Sequence, residues 1–400
     1  MEGKITIVVV GYNRPEAMAR ILKSLAAAAY GDYTDIRLVV SIDHSGNGEV
    51  VRTAERFEWK YGEKQVLCHP KRLGLRRHIL SCGELTRKYG AVMVLEDDLY
   101  VSPDFYRYAA KTLERYGDHP KIAGIALNTK RELLESSYPF FPLHSGYDIF
   151  FQQFATSWGQ VWNERMWDGF KKWYDLHPKL PDHKDVPEVV LRYPETSWAK
   201  FYQTYIVDTG KYFVYSYDSL TTNFGDAGVH FGTVSSTSQS VLFYGKKEYR
   251  MPEFEEGVKY DIYGEPVGLA ACLGLSEEEF TCDMWGRKKR AAYRRYVLSS
   301  RELPFRVIRS FGMQMKPMEL NVTEQVEGNA LFLYDTSSPV PAKRKKEKPV
   351  DLKLLEYGYG VMDGRDLLRF ALKRMREKFV VFHTRASSQP DAGRSSWKTH

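Results

Sequence analysis

At 400 residues the chain is longer than one average domain, and with 43% hydrophobic and 27% charged residues it has the make-up of a globular protein with a real core. Its net charge of +7 gathers late, in Lys343, Arg344, Lys345, Lys346, Lys348 and the stretch 367–378. No nucleic-acid-binding module accompanies that charge, so no nucleic-acid partner is expected, and the basic tail reads as a contact for an anionic membrane surface or as a solvated end. No apolar run approaches the ~20 residues needed to cross a bilayer.

The opening Met1-Glu2-Gly3-Lys4-Ile5 lacks the apolar core of a signal peptide. Cys68, Cys82, Cys272 and Cys282 form no CxxC pair and fit a reducing compartment. The expected location is the cytoplasm, at most peripheral to the inner face of the membrane.

Ile5 to Val10 is a continuous β-branched run, the mark of a strand buried on both faces. Gly11 to Pro15 ends it, and Glu16 to Ala29 reads as a helix opened by proline. Strands follow at Arg37–Ile42, Gln65–Cys68 and Ala91–Leu95, with helices at Glu49–Tyr61 and Arg76–Tyr89 between them. This alternation predicts an α/β domain with a doubly wound, mostly parallel sheet.

Beyond residue 150 the texture changes. Trp158, Trp162, Trp167, Trp173 and Trp198 crowd together, mostly as core, with one or two rings expected to line an acceptor cleft. Tyr212–Tyr217 reads as a strand leading into the polar loop 221–230. Residues 250–340 read as a small mixed extension, Ser337–Pro349 as a linker, and Asp363–Phe382 as a basic amphipathic helix or helix–strand pair. The expected division is 1–245, in halves 1–105 and 106–245, then 246–340, then a basic linker, helix and tail over 341–400.

In doubly wound sheets ligands bind off the carboxyl ends of the strands. Three polar clusters fall there: Asn13-Arg14, Asp43-His44 and Glu96-Asp97-Asp98. Adjacent carboxylates repel, and a hard divalent ion relieves them while leaving coordination sites for phosphates. A Mg²⁺-dependent phosphatase or polymerase would use the same physics, and an acidic surface loop is the plain structural alternative. Gly11 permits a close turn, Arg14 offers a planar donor fork, and Asp43 can accept from a base edge. Together these predict a nucleotide site at one sheet edge. Arg76, Arg77 and His78, opening a helix, are placed to steady a diphosphate.

Gly11-Tyr12-Asn13-Arg14-Pro15-Glu16, Ser41-Ile42-Asp43 and the run Val94 to Phe105 resemble the N-acetylglucosaminyltransferase I family. More broadly they resemble bacterial GT-A glycosyltransferases of polysaccharide synthesis. The likeness covers roughly residues 4–235. It implies a GT-A fold, a nucleotide-sugar donor with UDP favoured, and a glycan or lipid-linked acceptor.

By the same resemblance Arg14 and Asp43 contact the nucleotide, Asp43 at the uracil edge. Glu96 and Asp97 lie on the ribose and sugar side, and Asp98 binds Mn²⁺ or Mg²⁺. A loop after this region often closes over the donor, which makes Asp226 a candidate catalytic residue and His230 a candidate metal ligand. In the eukaryotic family the base that deprotonates the acceptor follows a tryptophan at a helix start. Here that place reads Ser197-Trp198-Ala199-Lys200, and Ala199 cannot take a proton. Glu195, just upstream, is the expected base of an inverting transfer, with Asp168 a further candidate. The alternatives are a sugar nucleotidyltransferase, whose phosphate loop is missing, and an inactive glycan-binding protein with a transferase fold.

Overall fold

The computed structural model describes residues 4–136, 138–181, 183–226, 239–341, 352–360, 363–373 and 375. The chain divides into two compact units, 1–347 and 348–400.

The first unit opens with β1 (Thr6–Gly11), every residue of it buried, and α1 (Pro15–Ala27). Proline stands in the first turn of α1, whose buried face is Ala17, Met18, Ile21, Leu22, Ser24 and Leu25. Next come β2 (Leu38–Ile42), α2 (Gly48–Arg56), β3 (Lys64–Cys68), α3 (Leu75–Glu84), α4 (Thr86–Tyr89) and β4 (Ala91–Glu96). β1 pairs in parallel with β2 and β4, and β2 with β3. This first part of the sheet is therefore the doubly wound arrangement that the strand–helix alternation predicts.

After β5 (Leu99–Val101) and α5 (Phe105–Tyr116) the chain adds β6 (Ile122–Ala126), β7 (Ile149–Gln152), β8 (Gln160–Asn163), α6 (Glu164–Leu176), α7 (Glu188–Leu191), α8 (Trp198–Asp208) and β9 (Tyr212–Ser216). With β10 (Thr221–Asn223) and β11 (Lys259–Tyr260), these complete the framework around the site. Among the described residues the large sheet has nine strands, ordered β11-β7-β9-β6-β8-β4-β1-β2-β3. β8 runs antiparallel between β4 and β6, so the start of β8 lies at the carboxyl end of β4.

A separate mixed sheet combines β12 (Phe280–Asp283), β13 (Tyr296–Ser299), β14 (Phe305–Phe311) and β15 (Leu331–Pro339), with the short helix α9 (Leu320–Thr323) between the last two. In the second unit α10 spans Leu352–Tyr359, and residues 364–373 are helical. No helix among the described residues is long and apolar enough to cross a membrane.

Several boundaries depart from expectation for physical reasons. α2 stops at Arg56 instead of reaching Tyr61, because residues 57–61 bond to the segment just before β2. Ile36 N donates to Tyr61 O at 2.8 Å, and the buried Trp59 Nε1 donates to Ile36 O at 2.7 Å. Ser337–Pro339 close β15 against Phe305 and are not linker. Trp162 lies on β8 rather than among helices. Its ring stacks on Tyr202 at 5.5 Å and tilts against Trp167 at 5.2 Å, so these rings are core.

Candidate functional site at the carboxyl ends of the strands

β4 is apolar and buried through Leu95 and then delivers Glu96 opposite Val10 of β1. Asp97 N donates to Val10 O at 3.1 Å, and the chain turns at once into β5. β10 clamps that turn: Asn223 pairs with Leu99, and Phe224 N donates to Asp98 O at 2.9 Å. The three acids are thus held by backbone on both sides.

Arg14, at the cap of α1, reaches across to them. Its Nη1 donates to Asp98 Oδ2 at 3.1 Å and its Nη2 to Asp97 Oδ1. Asp97 Oδ2 and Asp98 Oδ1 are buried with no partner. Burial, only partly offset by Arg14 and reinforced by Asp98 and Asp226, pushes Asp97 up to about 6. Burial and the charges of Asp98 and Asp97 push Glu96 up to about 8. Burial opposes the charge on Arg14, but the two aspartates outweigh it and hold the guanidinium protonated.

The cluster therefore carries more negative charge than one arginine balances. Among the described residues no three His, Cys, Asp or Glu side chains close a metal cage. Two unpartnered carboxylate oxygens suit a hard divalent ion that takes its remaining ligands from water and substrate phosphates.

At the end of β1, a Cβ on Gly11 would meet Met18 Cε at 2.3 Å and would have to displace the tip of that side chain. Asn13 is exposed, and its carbonyl accepts from Asn47 Nδ2 at 3.3 Å. Asp43 is buried and accepts from the backbone N–H of Leu73 at 2.7 Å, Gly74 at 2.9 Å and His44 at 2.9 Å. Burial would raise its pKa, but these bonds outweigh it and hold the carboxylate ionised. Asp43 therefore ties the β2 end to the entrance of α3, leaving little acceptor capacity for a base.

His78 is withdrawn from the expected diphosphate group. It is buried, its Nε2 lies 2.8 Å from Ser41 Oγ, and burial with neighbouring His69 pushes it down to about 4. A neutral buried imidazole contributes no charge to an anion. Arg76 lies over the Phe201 ring at 5.1 Å, and Arg77 is exposed.

Glu195 and Asp226 are each paired with a cation of their own. Glu195 is exposed and bonded to Lys200 Nζ at 2.6 Å, a contact that, with the nearby Arg76, holds it below the usual carboxylate range. Asp226 follows β10, pairs with Arg20, and acts electrostatically on Asp97. Asp168 is tied to Arg87 at 3.1 Å on the face of α6, which is a surface ion pair. His230 lies outside the described residues. Sequence reading missed Arg20, whose guanidinium lies 4.0 Å from the Phe224 ring centroid, and also Asn128, Lys130 and Gln160. Single polar residues at strand ends carry no periodic signal.

A family model described as Glycosyl transferase family 2 matches residues 6–151. No curated protein sequence matches the chain. Among solved structures, the mannosyltransferase PcManGT from Pyrobaculum calidifontis, in complex with GDP-Man and Mn²⁺, is similar over 42% of this chain and 46% of its own, at 16% identity and a TM-score of 0.30. S. aureus TarS 1–349 is similar over 55% of this chain and 59% of its own, at 13% identity and a TM-score of 0.35. The chain thus spans about half the length of these structures. The narrower likeness to N-acetylglucosaminyltransferase I has no counterpart in these matches. The matched segment contains Arg14, Asp43 and the acid triplet, and the chain carries in residues 6–151 a glycosyltransferase family 2 domain built on the GT-A form of the α/β fold.

Proposed function

We propose that the protein transfers a sugar from a nucleoside-diphosphate sugar, UDP-sugar favoured, to a hydroxyl of a glycan or lipid-linked acceptor. The supporting observation is the pair of buried, unpartnered oxygens Asp97 Oδ2 and Asp98 Oδ1 beside Arg14. Asp98, with Asp97 behind it, would hold Mn²⁺ or Mg²⁺, which when bound supplies positive charge to the departing diphosphate. Arg14 orients both aspartates through its two hydrogen bonds. Gly11, Asn13 and the entrance of α3 with Arg76 border the nucleotide, and Asp43 fixes the loop on which it would rest.

Glu195 is the proposed base: it takes the acceptor's proton after exchanging Lys200 for the acceptor hydroxyl. Asp226 is the second candidate, since its charge reaches the acid cluster. Attack from the side opposite the leaving group inverts the anomeric centre. The basic second unit is proposed to rest on an anionic membrane. Deleting 341–400 then removes co-sedimentation with anionic vesicles, and unchanged binding refutes that contact.

The direct test is a melting-point screen against UDP- and GDP-sugars with and without Mn²⁺, followed by measurement of nucleotide release. Stabilisation only with metal present, lost in Asp98→Ala, supports the reading. Binding indifferent to metal and to that change sinks it.

A further inference from the structure

The next collection of unpartnered polar atoms lies one strand beyond the acid triplet. Gln160 opens β8 opposite Val94 of β4 and Ala126 of β6. Paired residues share a sheet face, and two steps along a strand restore it. Gln160 and Glu96 therefore project from the same face as diagonal neighbours, about 7–8 Å apart. Gln160 is fully buried, and neither its Oε1 nor its Nε2 has a partner. Two residues beyond Ala126, Asn128 is also fully buried. Its Nδ2 donates to Thr221 O at 2.9 Å and to the Ser219 and Ser240 hydroxyls at 3.1 and 3.0 Å, while its Oδ1 is left without a partner.

Lys130 follows Asn128 by two residues, and Trp158 precedes Gln160 by two. Lys130 Nζ sits 3.9 Å from the Trp158 ring centroid. It makes no ion pair among the described residues, burial lowers its proton affinity, and the exposed Glu132 restores that only in part. The platform is fixed, because the Trp158 carbonyl accepts from Thr221 Oγ1 and Leu127 N donates to Gly159 O at 2.9 Å. Lys130 is half-buried, and a lysine drawn in from solvent is normally paired with a carboxylate. This one is held against a ring instead, beside amide groups whose hydrogen-bonding capacity is unused.

We propose that Lys130, seated on Trp158 beside Gln160 and Asn128, binds an anionic group, a carboxylate or phosphate, carried by one of the two sugar substrates. The proposal rests on the nucleotide-sugar reading above. Gln160 would bond a neighbouring sugar hydroxyl, and the Trp158 ring limits how far the lysine retracts from the substrate.

The test compares wild type, Lys130→Met and Lys130→Arg by melting shift with Mn²⁺. Ligands are UDP, GDP, UDP-glucose, UDP-galactose, UDP-glucuronate and UDP-galacturonate. With UDP and Mn²⁺ saturating, glucose, glucuronate and glucose 6-phosphate are then added. The expected wild type favours acidic over neutral ligands by about tenfold or more. Lys130→Met erases that preference without changing the affinity for UDP, and Lys130→Arg keeps it. A preference among nucleotide sugars assigns the anion to the donor, and one among the added sugars assigns it to the acceptor. No acidic preference in wild type, or one that survives in Lys130→Met, overturns the proposal while leaving the donor reading intact. Failure of both UDP and GDP to bind with Mn²⁺ overturns the donor reading and this one with it.

Discussion

Arg14 Nη1 and Asp98 Oδ2 meet at 3.1 Å across 84 positions of sequence, joining the cap of α1 to the turn after β4. The contact brings the ends of the neighbouring strands β1 and β4 into one electrostatic unit. A single cation there faces three acids, so the unit is under-neutralised as folded. Asp98→Asn removes one repelling charge and is expected to leave the melting point without metal unchanged or higher. The same change abolishes the Mn²⁺-dependent shift by nucleotide and lowers transfer by about 100-fold or more. Melting curves with and without Mn²⁺ and UDP, beside nucleotide release, check both halves. A loss of stability with binding retained contradicts the assignment.

Acidity gives an independent handle on the same unit. Asp97 stands at about 6 against an ordinary 3.8, and Glu96 at about 8 against 4.5. Folded values above unfolded ones mean that the stability contributed is present in acid and is lost as pH rises through the folded values. Without metal the cluster therefore destabilises the fold progressively from about pH 4 to pH 8. Divalent ions compete with those protons, so the stabilisation by Mn²⁺ is expected to grow over the same interval. Buried Glu265, also pushed up to about 8 by burial, contributes a metal-independent slope of the same sign. Glu265→Gln should remove that share and leave the Mn²⁺-dependent part. A metal shift equal at pH 5 and pH 8 contradicts the argument.

Much of the nucleotide half was legible because its physics is local. The β-branched runs Thr6–Val10 and Leu38–Ile42 can only be buried strands, and an acid run on a buried strand end needs a cation. The acceptor half was harder to read. Gln160 lies beside Glu96 only because β8 runs antiparallel between β4 and β6, an order that no local pattern encodes. His78 reads as a helix-start cation, yet its position on α3 turns it toward Ser41 and makes it a neutral core group. Residues 57–61 hold three aromatic rings, poor helix formers, and are bonded to Ile36 ahead of β2, so the helix read through them ends at Arg56.

The proposed base separates from the proposed donor support by kinetics. Glu195→Gln should lower kcat for transfer by about 100-fold or more while leaving Mn²⁺-dependent nucleotide binding intact. Lys200→Met frees the Glu195 carboxylate from its 2.6 Å partner and should move the acid limb of the rate profile to higher pH, because that partner holds Glu195 low. Asp226→Asn instead breaks the contact with Arg20 and should weaken donor binding and kcat together. A kcat loss confined to Asp226→Asn would exchange the two roles.

The last prediction concerns how the core positions the site. Gly83 lies in α3 against the flat of Trp167, where a Cβ would meet three ring atoms at 2.3 to 2.4 Å. Alanine ordinarily favours a helix over glycine by roughly 0.5–1 kcal/mol. Here the Trp167 ring cannot retreat, because Trp162 lies at 5.2 Å, Phe170 at 5.4 Å and Trp167 Nε1 is bonded to Glu84 at 3.2 Å. Overpacking of this kind costs about 1–3 kcal/mol, so steric strain outweighs helix propensity and Gly83→Ala should lower the melting point. The strain moves α3 rather than the ring, and the entrance of α3 is where Gly74 N bonds Asp43. Nucleotide affinity should therefore fall with stability. Trp167→Phe opens the space, so in a double-mutant cycle the second change is expected to cancel much of the alanine's cost. Additive losses would mean that the contact with Trp167 is not what constrains position 83.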